Sequence, residues 1–521
     1  MLDAKKVILT LADNTTNTIT DSSRLSTEED YSAVIYSKED LIINGNGTLN
    51  VNAGYRNGIK STDDCIIVSG TLNITSTEDG IIGKDLCGIV AGDININAGS
   101  DGIKSTYDTD TTKGNVIIEG GNITIKASND GIQAENILVI NDGTINIKTN
   151  NGAADTTQTH TDNMDMDRGG FGFNNNKTTT TTDDTVESRK GIKAGNMLII
   201  NDGDITIDSD DDSVHCNSEI YIYGGTINAA TGDDGVHADD LLTVNGGTIN
   251  ITQCYEGIEA DDIVINDGDI SVVSSDDGIN SSDGSITING GNLLINASGD
   301  GLDANGSIII NGGYIVVLGP TSDGDTAIDY DDSCTINGGT VMAFGSSGML
   351  EIPKGASNGA CIVTAFTSVS GGSKYTLSDS NGNEILSYTP SKAYAAAIVY
   401  SDKITTGNTY NITAGSTTLS IEVTSDVTSN VSSGLGKAGG MNMPGNGGSG
   451  MPNNGSSDNG MNGNSNGSMP DMSGNGAPDM NGNSSGDMPS MGGNSSNNGG
   501  NMPNMNNGSS NGSAPQMNNR M

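Results

Sequence analysis

Acidic side chains recur in this sequence at a spacing that suits metal binding. Eight of them precede a recurring glycine, or its equivalent, and most successive pairs are 21–23 residues apart. They are Asp79, Asp101, Asp130, Asp212, Asp234, Glu256, Asp277 and Asp300. If the repeats stack, like charges ~4.8 Å apart repel by about 3.5 kcal/mol per neighbour at an effective dielectric near 20. A neutralising partner is therefore expected.

Further carboxylates accompany this column between residues 233 and 303. Ca²⁺ takes six to eight oxygen ligands at about 2.3–2.6 Å, which acids and backbone carbonyls of adjacent repeats can supply. The alternative is that each Asp caps its own corner by accepting a backbone N–H bond. For the column as a whole we favour Ca²⁺ as cofactor. The predicted metal ligands are Asp233, Asp234, Asp239, Glu256, Glu259, Asp261, Asp277, Asp300 and Asp303.

A second column, two residues after the recurring glycine, changes character along the chain. It runs Lys60, Lys104, Lys193, then His215 and His237, then Glu259, Asn280 and Asp303. The lysines predict either a groove that pairs with uronate carboxylates or simple surface ion pairs. The two histidines leave open a small transition-metal site or ordinary polar surface. Hydrolytic catalysis needs two carboxylates about 5–10 Å apart, but acids are so abundant here that almost any pair qualifies.

The elements that must position these residues follow from a repeated segment. Its clearest copy is DDGVHADDLLTVNGGTINIT, Asp233 to Thr252. A period of roughly 20–25 residues indicates a solenoid, whose units bury their apolar faces only by stacking. Alternating aliphatic residues, as in Leu242-Thr-Val244, predict short strands. The Asn-Gly-Gly segment predicts a corner with positive φ. Three strands and three corners per repeat predict a parallel β-helix.

Aligned repeats give chemically uniform columns, as stacked coils should. One column is aliphatic and predicted to point inward: Val116, Leu198, Ile220, Leu242, Ile263, Ile286 and Ile308. Another predicts a ladder of hydrogen-bonded amides: Asn201, Asn245, Asn266, Asn289, Asn311 and Asn337. About twelve coils would make a rod ~60 Å long.

Composition restricts the classes of partner. The 521 residues carry a net charge of −43, with no Trp and 3% aromatic residues. Nucleic acids are poor partners for such a chain because binding them relies on Lys and Arg, and membrane insertion is not expected. Ring stacking on sugars would be limited to tyrosines, for which Tyr55, Tyr107 and Tyr255 are the candidates.

Cysteine usage argues for buried thiols more than for a disulfide framework. Cys65, Cys87 and Cys334 fall in the inward aliphatic column, where a thiol replaces Val or Leu. Cys65 and Cys87 lie on neighbouring coils, so a bridge between them stays possible geometrically. Cys216 shares a small inward column with Ala238 and Ala260. No Cys-x-x-Cys pair suggests zinc.

Organisation along the chain predicts three regions. Residues 1–345 form the β-helix, with a disordered insertion at about 153–188. Residues 346–430 form a small β-rich cap over its open end. Residues 431–521, rich in Gly, Asn, Ser and Met, are predicted to be disordered. That tail holds 13 of the 19 methionines, which suits either Cu(I) binding or, as we favour, a wall-spanning linker. No export signal is recognisable, and Met1 is taken as a fragment boundary.

Several long segments support a more specific assignment. NGIKSTDD, DGIKSTYDTD, GGNITIKASNDGIQAEN, SRKGIKAGN, YEGIEADDIVINDGDISVVSSDDGIN and DGDTAIDYDDSCTINGGTVMAFGSSGM resemble a family of secreted bacterial carbohydrate-binding proteins. The resemblance covers residues 1 to about 425. It implies a right-handed, polysaccharide-lyase-like parallel β-helix that binds Ca²⁺ at its acidic corners, here around Asp234, Glu256, Asp277 and Asp300. It also implies adhesion to cellulose and pectic acid outside the cell or at its surface. Ser213 departs from the pattern where a glycine is expected.

The leading hypothesis is a non-catalytic polysaccharide-binding rod stabilised by Ca²⁺. One alternative is a pectate-lyase-like enzyme in which a lysine such as Lys193 abstracts a proton α to a Ca²⁺-polarised carboxylate. The other is a surface spacer or adhesin without sugar affinity, tethered to the cell wall by the tail.

Overall fold

Strands account for almost all regular structure in the described part of this chain. The computed structural model describes residues 4–22, 31–154 and 188–431. Within those ranges there are 43 strands and one short 3₁₀ turn, Gly152–Ala154. Most of the predicted insertion and nearly all of the predicted tail lie outside the described residues. No described helix is long and apolar enough to cross a membrane.

The coils of the rod contribute strands at up to three positions. The first strands follow the recurring glycine: Ala33–Ser37, Asn57–Ser61, Ile81–Gly83, Ile103–Lys104, Ile132–Ala134, Ile192–Ala194, Val214–Cys216, Val236–Val244, Ile258–Ile265, Ile279–Ser281 and Leu302–Ala304. Val236–Val244 and Ile258–Ile265 continue into the second position, so that first and second strands form one 23-stranded sheet.

The other second strands are Lys6–Leu11, Asp40–Gly45, Asp64–Ile67, Leu86–Ile89, Asn115–Ile118, Ile137–Ile140, Met197–Ile200, Glu219–Ile222, Ile286–Ile288, Ser307–Ile310, Ser333–Ile336 and Gly355–Ala356. The third strands are Thr16–Thr20, Thr48–Ala53, Thr71–Ser76, Asp93–Ala98, Asn122–Ala127, Thr144–Thr149, Asp204–Ser209, Thr226–Thr231, Thr248–Cys254, Asp269–Ser274, Asn292–Asn296, Tyr314–Leu318 and Thr340–Gly345. All thirteen third strands pair in parallel, which confirms the parallel β-helix.

The core consists of straight rows of aliphatic side chains. Leu242 pairs in register with Ile263, which pairs with Ile286, and all three are fully buried. The predicted inward column is therefore confirmed. Cys65 and Cys87 are adjacent within such a row, and all six cysteines are buried free thiols.

The amide ladder at the corner after the second strand is also present. Asn266 donates to Asn245 over 2.9 Å, Asn289 to Asn266 over 2.8 Å and Asn311 to Asn289 over 2.8 Å. The ladder continues to Asn337 and, on the other side, links Asn201 to Asn141. Tyr223 occupies the corner between Asn201 and Asn245. The predicted row is confirmed, with one interruption.

Two kinds of glycine hold the corners. Gly247 lies at φ +91°, a region that residues with a side chain rarely adopt. The glycine before the first strand is needed for a different reason, a close approach between coils. A Cβ on Gly235 would lie 2.4 Å from the Ile251 side chain and 2.5 Å from the carbonyl oxygen of Gly257.

Ser213 occupies the position of the recurring glycine in its coil. The third-strand side chain that faces this position is also different there. Gly191 approaches Ile207 and Gly235 approaches Ile251 in their respective coils. The third-strand residue in register between those two isoleucines is Ala229. The smaller Ala229 leaves the room that the Ser213 Cβ requires.

Beyond Gly345 the strands become mainly antiparallel. They are Ala360–Val369, Tyr375–Asp379, Glu384–Tyr388, Tyr394–Ser401, Thr409–Ala414, Thr417–Glu422 and Val427–Ser429. Tyr394–Ser401 pairs antiparallel with the last third strand, Thr340–Gly345. A separate apolar cluster forms there, in which Phe344 packs against Tyr375 and Tyr394. Three of these strands, Tyr394–Ser401, Ala360–Val369 and Val427–Ser429, extend the third-strand sheet past its last parallel member. The other four form a separate antiparallel sheet.

Candidate functional site

The corner carboxylates form a ladder between coils. One oxygen of Asp79 accepts a hydrogen bond from the backbone N–H of Asp101 over 3.1 Å, and Asp101 does the same for Asp130 over 3.0 Å. Farther along, Asp212 accepts from the N–H of Asp234 over 3.1 Å. These bonds satisfy backbone donors of the next coil, whereas the alternative to Ca²⁺ binding that we considered from sequence was capping of each residue's own corner. The column therefore has a structural role at every such step.

The second oxygen of these carboxylates meets a different partner in each part of the rod. Asp101 contacts the Lys104 ammonium at 2.6 Å. Burial raises the pKa of Asp101 to about 6, although Lys104 lowers it. Asp212 contacts Lys190 at 2.5 Å and His215 at 2.8 Å. Burial opposes the ionisation of Asp212, but Lys190 and His215 hold its pKa well below the usual range.

Toward the C-terminal end the carboxylates face one another. Asp277, Asp300 and Asp303 each place an oxygen within 4.8 Å of the others. Burial, and then the neighbouring Asp276, raises the pKa of Asp277 to about 8. Burial likewise raises the pKa of Asp300 to about 8, with a contribution from Asp277. Burial and mutual repulsion oppose simultaneous ionisation of these carboxyl groups. A divalent cation would neutralise their charges, and clustered carboxylate oxygens are suitable ligands for it.

A mixed cluster lies between these two parts of the rod. His237 places Nδ1 3.1 Å from Asp234 and 3.2 Å from Glu259. Burial, followed by repulsion from Asp234, raises the pKa of Glu259 to about 8. Burial and the adjoining Glu259 raise the pKa of Glu256 to about 8 as well. Asp234, His237 and Glu259 thus form a second group with metal-ligand chemistry.

The remaining predicted metal ligands are dispersed. Asp233 lies with Asp211 and Asp212 in a third acidic group. Asp239 approaches Nε2 of His237 at 3.5 Å. Asp261 accepts hydrogen bonds from Ser281 and Ser282 and lies apart from these groups. The nine predicted residues therefore divide among several small groups, and whether any of them binds a metal stays a prediction.

The three lysines share one column but not adjacent coils. Register places Ile82 between Lys60 and Lys104, and Gln133 between Lys104 and Lys193. Burial lowers the pKa of Lys60. Burial also opposes the charge on Lys104, but Asp101 raises its pKa. The Lys193 ammonium donates to Ser188 over 3.3 Å. A continuous lysine groove is not formed.

The three tyrosines occupy separate parts of the molecule. Tyr55 packs beside Arg56, whose guanidinium lies 5.4 Å from the ring centroid. The Tyr107 ring is flanked by the ammonium groups of Lys84 and Lys113, each 4.8 Å from its centroid. Tyr255 lies about seven coils from Tyr55, a distance of about 34 Å along the rod. A single aromatic sugar platform is therefore not formed by these three residues.

An uncharged row on the third strands was not predicted as a binding site. Its side chains are exposed or half-buried, and from Asn50 onward they alternate with buried aliphatic residues. Asn73 donates to Asn50 over 2.9 Å and Asn95 to Asn73 over 3.0 Å. The row, named here the third-strand row, comprises Thr18, Asn50, Asn73, Asn95, Thr124, Asn146, Thr206, Asn228, Asn250 and Ser271. On a chain of net charge −43, ten uncharged hydrogen-bonding groups in a row are distinctive.

Comparison with known proteins decides the family. The family model described as "Carbohydrate-binding domain-containing protein" matches residues 1–235 and 233–469. The chain belongs to this carbohydrate-binding domain family. A relative with the same description, from Acetivibrio thermocellus, is 39% identical over 75 residues. That match covers 14% of this chain and 26% of the relative. No solved structure gives a significant match.

The exposed side chains of this carbohydrate-binding domain protein differ in chemistry from one face of the rod to another. The first-strand face carries the charged columns, and the third strands carry the uncharged row. The row contains none of the residues predicted to bind sugar, all of which are lysines or tyrosines. The available signal was the repeated Thr-Ile-Asn-Ile pattern, as in Thr248 to Ile251, whose polar positions all point outward.

Proposed function

We propose that this protein is a non-catalytic binder of cell-wall polysaccharide, cellulose or pectic acid, and that the third-strand row is its sugar-binding surface. The observation that carries the proposal is this row of amides and hydroxyls on a chain of a carbohydrate-binding domain family. Each group can donate and accept hydrogen bonds, which matches the chemistry of sugar hydroxyls. The protein would act outside the cell or at the cell surface.

The regular spacing of the row favours a polymer over a single sugar. Successive coils place equivalent groups about 4.8 Å apart. One coil offers few contacts and no ring for stacking in this row, so its affinity should be weak. A sugar chain that contacts several coils gains affinity because each further contact becomes intramolecular. Soluble monosaccharides should therefore compete poorly with polysaccharide.

Ca²⁺ has a stabilising role in this proposal, at Asp277, Asp300 and Asp303. These residues come from adjacent coils, so one ion would tie the coils together. The raised pKa values of Asp277 and Asp300 indicate that their negative charges are poorly neutralised by the protein alone. Binding of a cation to the folded state only would raise the melting temperature.

The test is depletion of the purified chain by insoluble cellulose and by cross-linked pectate, with and without a chelator. We expect binding to at least one polysaccharide, and a lower melting temperature after chelation. Incubation with polygalacturonate should give no rise in ultraviolet absorbance, whereas a pectate lyase would release unsaturated product. Failure to bind any polysaccharide would favour a spacer or adhesin function and contradict the proposal.

A further inference from the structure

His215 and His237 form the only histidine pair within the described part of the chain. They are in register on adjacent first strands, and their ring centroids are 4.9 Å apart. Their surroundings differ. The His215 nitrogens contact Asp212 at 2.8 Å and Asn217 at 2.8 Å, so each has one close partner. His237 instead has two carboxylates near the same nitrogen.

The geometry around His237 is that of a partial coordination shell. Nδ1 lies 3.1 Å from Oδ2 of Asp234 and 3.2 Å from Oε2 of Glu259. The ligand atoms of all three residues lie within 4.8 Å of one another. An octahedral ion with bonds of about 2.1–2.2 Å requires neighbouring ligands about 3.0–3.1 Å apart. The two distances from Nδ1 therefore match two edges of an octahedral face.

The other ring nitrogen is placed as in many metal-binding histidines. Nε2 of His237 lies 3.5 Å from Oδ1 of Asp239. When a metal takes the Nδ1 lone pair, the ring proton is on Nε2, where a carboxylate on this side accepts it in a hydrogen bond and orients the ring. Asp239 is therefore a positioning residue in this arrangement.

The exposure of the three side chains also suits a metal site. The Asp234 side chain is 9% exposed, whereas those of His237 and Glu259 are 26% and 20% exposed. One side of the cluster is closed by protein and the other reaches solvent. From these contacts we propose that Asp234, His237 and Glu259 form a binding site for a divalent transition metal such as Mn²⁺, Fe²⁺, Co²⁺ or Zn²⁺. One nitrogen and two carboxylate ligands separate this site from the all-oxygen cluster at Asp277, Asp300 and Asp303.

The site would join two coils, because Glu259 lies on the coil after that of Asp234 and His237. The proposal does not depend on sugar binding or on Ca²⁺. Its test uses Co²⁺, whose visible absorption reports nitrogen and oxygen ligation, added to the untagged, metal-stripped chain in excess Ca²⁺. Excess Ca²⁺ occupies sites that consist only of hard oxygens.

We expect one Co²⁺ per chain at this site, with affinity reduced at least about 100-fold in His237→Gln and Glu259→Gln. Asp239→Asn should weaken binding by about 10-fold, as loss of a carboxylate behind a ligating histidine does. The matched control is His215→Gln, which removes a histidine from the same face and should retain Co²⁺ affinity within about 3-fold. The double variant Asp277→Asn/Asp300→Asn should also retain it. Melting curves confirm that each variant is folded.

An unchanged Co²⁺ spectrum and affinity in folded His237→Gln would overturn the proposal. So would equal losses in His215→Gln and His237→Gln, because the three assigned ligands would then not define the site.

Discussion

Each corner aspartate of the ladder accepts a backbone N–H of the next coil with one oxygen, while the partner of its second oxygen varies along the rod. The first oxygen is the simpler to test. At Asp101 it accepts the N–H of Asp130, and both residues are buried. An amide oxygen can accept the same bond, but a methyl group cannot.

Asp101→Ala should therefore be less stable than Asp101→Asn by about 1–2 kcal/mol, the cost of leaving a buried N–H without an acceptor. Both variants remove the ion pair with Lys104, so their difference isolates the backbone bond. The measurement is denaturant unfolding of the two variants. Equal stability would show that the ladder bond contributes nothing.

The raised pKa values of Asp277 and Asp300 predict a pH dependence. Their folded-state pKa values are about 8, above the usual value of 3.8. Between about pH 4 and pH 8 these two aspartates are deprotonated in the unfolded chain but still protonated in the folded chain. Stability from these groups is thus complete below about pH 4 and is lost as the pH rises toward 8. The charged groups around them, including Asp276, Asp303 and Glu256, add repulsion.

The metal-free chain should therefore lose melting temperature over this range relative to Asp277→Asn/Asp300→Asn, which cannot ionise at these positions. Ca²⁺ added at pH 8 should reverse the loss in the wild-type chain and leave the double variant almost unchanged. Melting curves at several pH values, with and without Ca²⁺, give the comparison. A constant difference between the two proteins from pH 4 to pH 8 would contradict the assignment.

At the scale of the strand and corner, the coil around Ser213 offers a test of packing. Ser213 replaces the recurring glycine, and Ala229 replaces the aliphatic residue that faces it in other coils. Ala229→Ile should be destabilising by about 1–3 kcal/mol, because the larger side chain meets the Ser213 Cβ.

Adding Ser213→Gly to Ala229→Ile should restore the stability, since it recreates the pair found at Gly191 and Ile207. The single variant Ser213→Gly is the matched control and should leave a small cavity. Thermal unfolding of the three variants measures the coupling. Additive effects would mean that these two positions do not contact each other as the register indicates.

The strands and corners were predicted correctly from the sequence where one residue type recurs in successive repeats. The inward row of Leu242, Ile263 and Ile286 and the amides from Asn245 to Asn337 both follow from a period that fixes register. Side-chain partners were less accessible, because the period does not specify rotamers. The bond from the Asp101 N–H to Asp79 between coils could not be read from the pattern.

The candidate site was predicted only in outline for the same reason. Lys60 and Lys104 fall in one column of the aligned repeats, but Ile82 lies between them in the sheet. It identified Asp234, His237 and Glu259 as members of two columns, yet their convergence on one imidazole nitrogen depends on side-chain conformation. The residue types in each column can therefore be predicted from sequence. Which side chains of those columns contact one another can be learned only from the structure.

At the scale of the whole molecule, the rod separates its functions by face. The first strands and the corners before them carry the carboxylates and the one histidine, His237, that we assign to metal binding, and the third strands carry the uncharged row that we assign to sugar binding. Substitutions on one face should therefore leave the other intact. Sugar binding by the third-strand row can therefore be tested with substitutions that leave the first-strand face and the fold intact.

The most direct test is binding to insoluble polysaccharide by the triple variant Asn95→Ala/Thr124→Ala/Asn146→Ala. These exposed residues lie on three successive coils of the third-strand row. The matched control is Asn266→Ala/Asn289→Ala/Asn311→Ala, which removes three amides from successive corners. Loss of three hydrogen bonds should weaken binding by about 10-fold or more in the row variant, with the control unchanged. Equal affinity of the row variant and the wild-type chain would contradict the account.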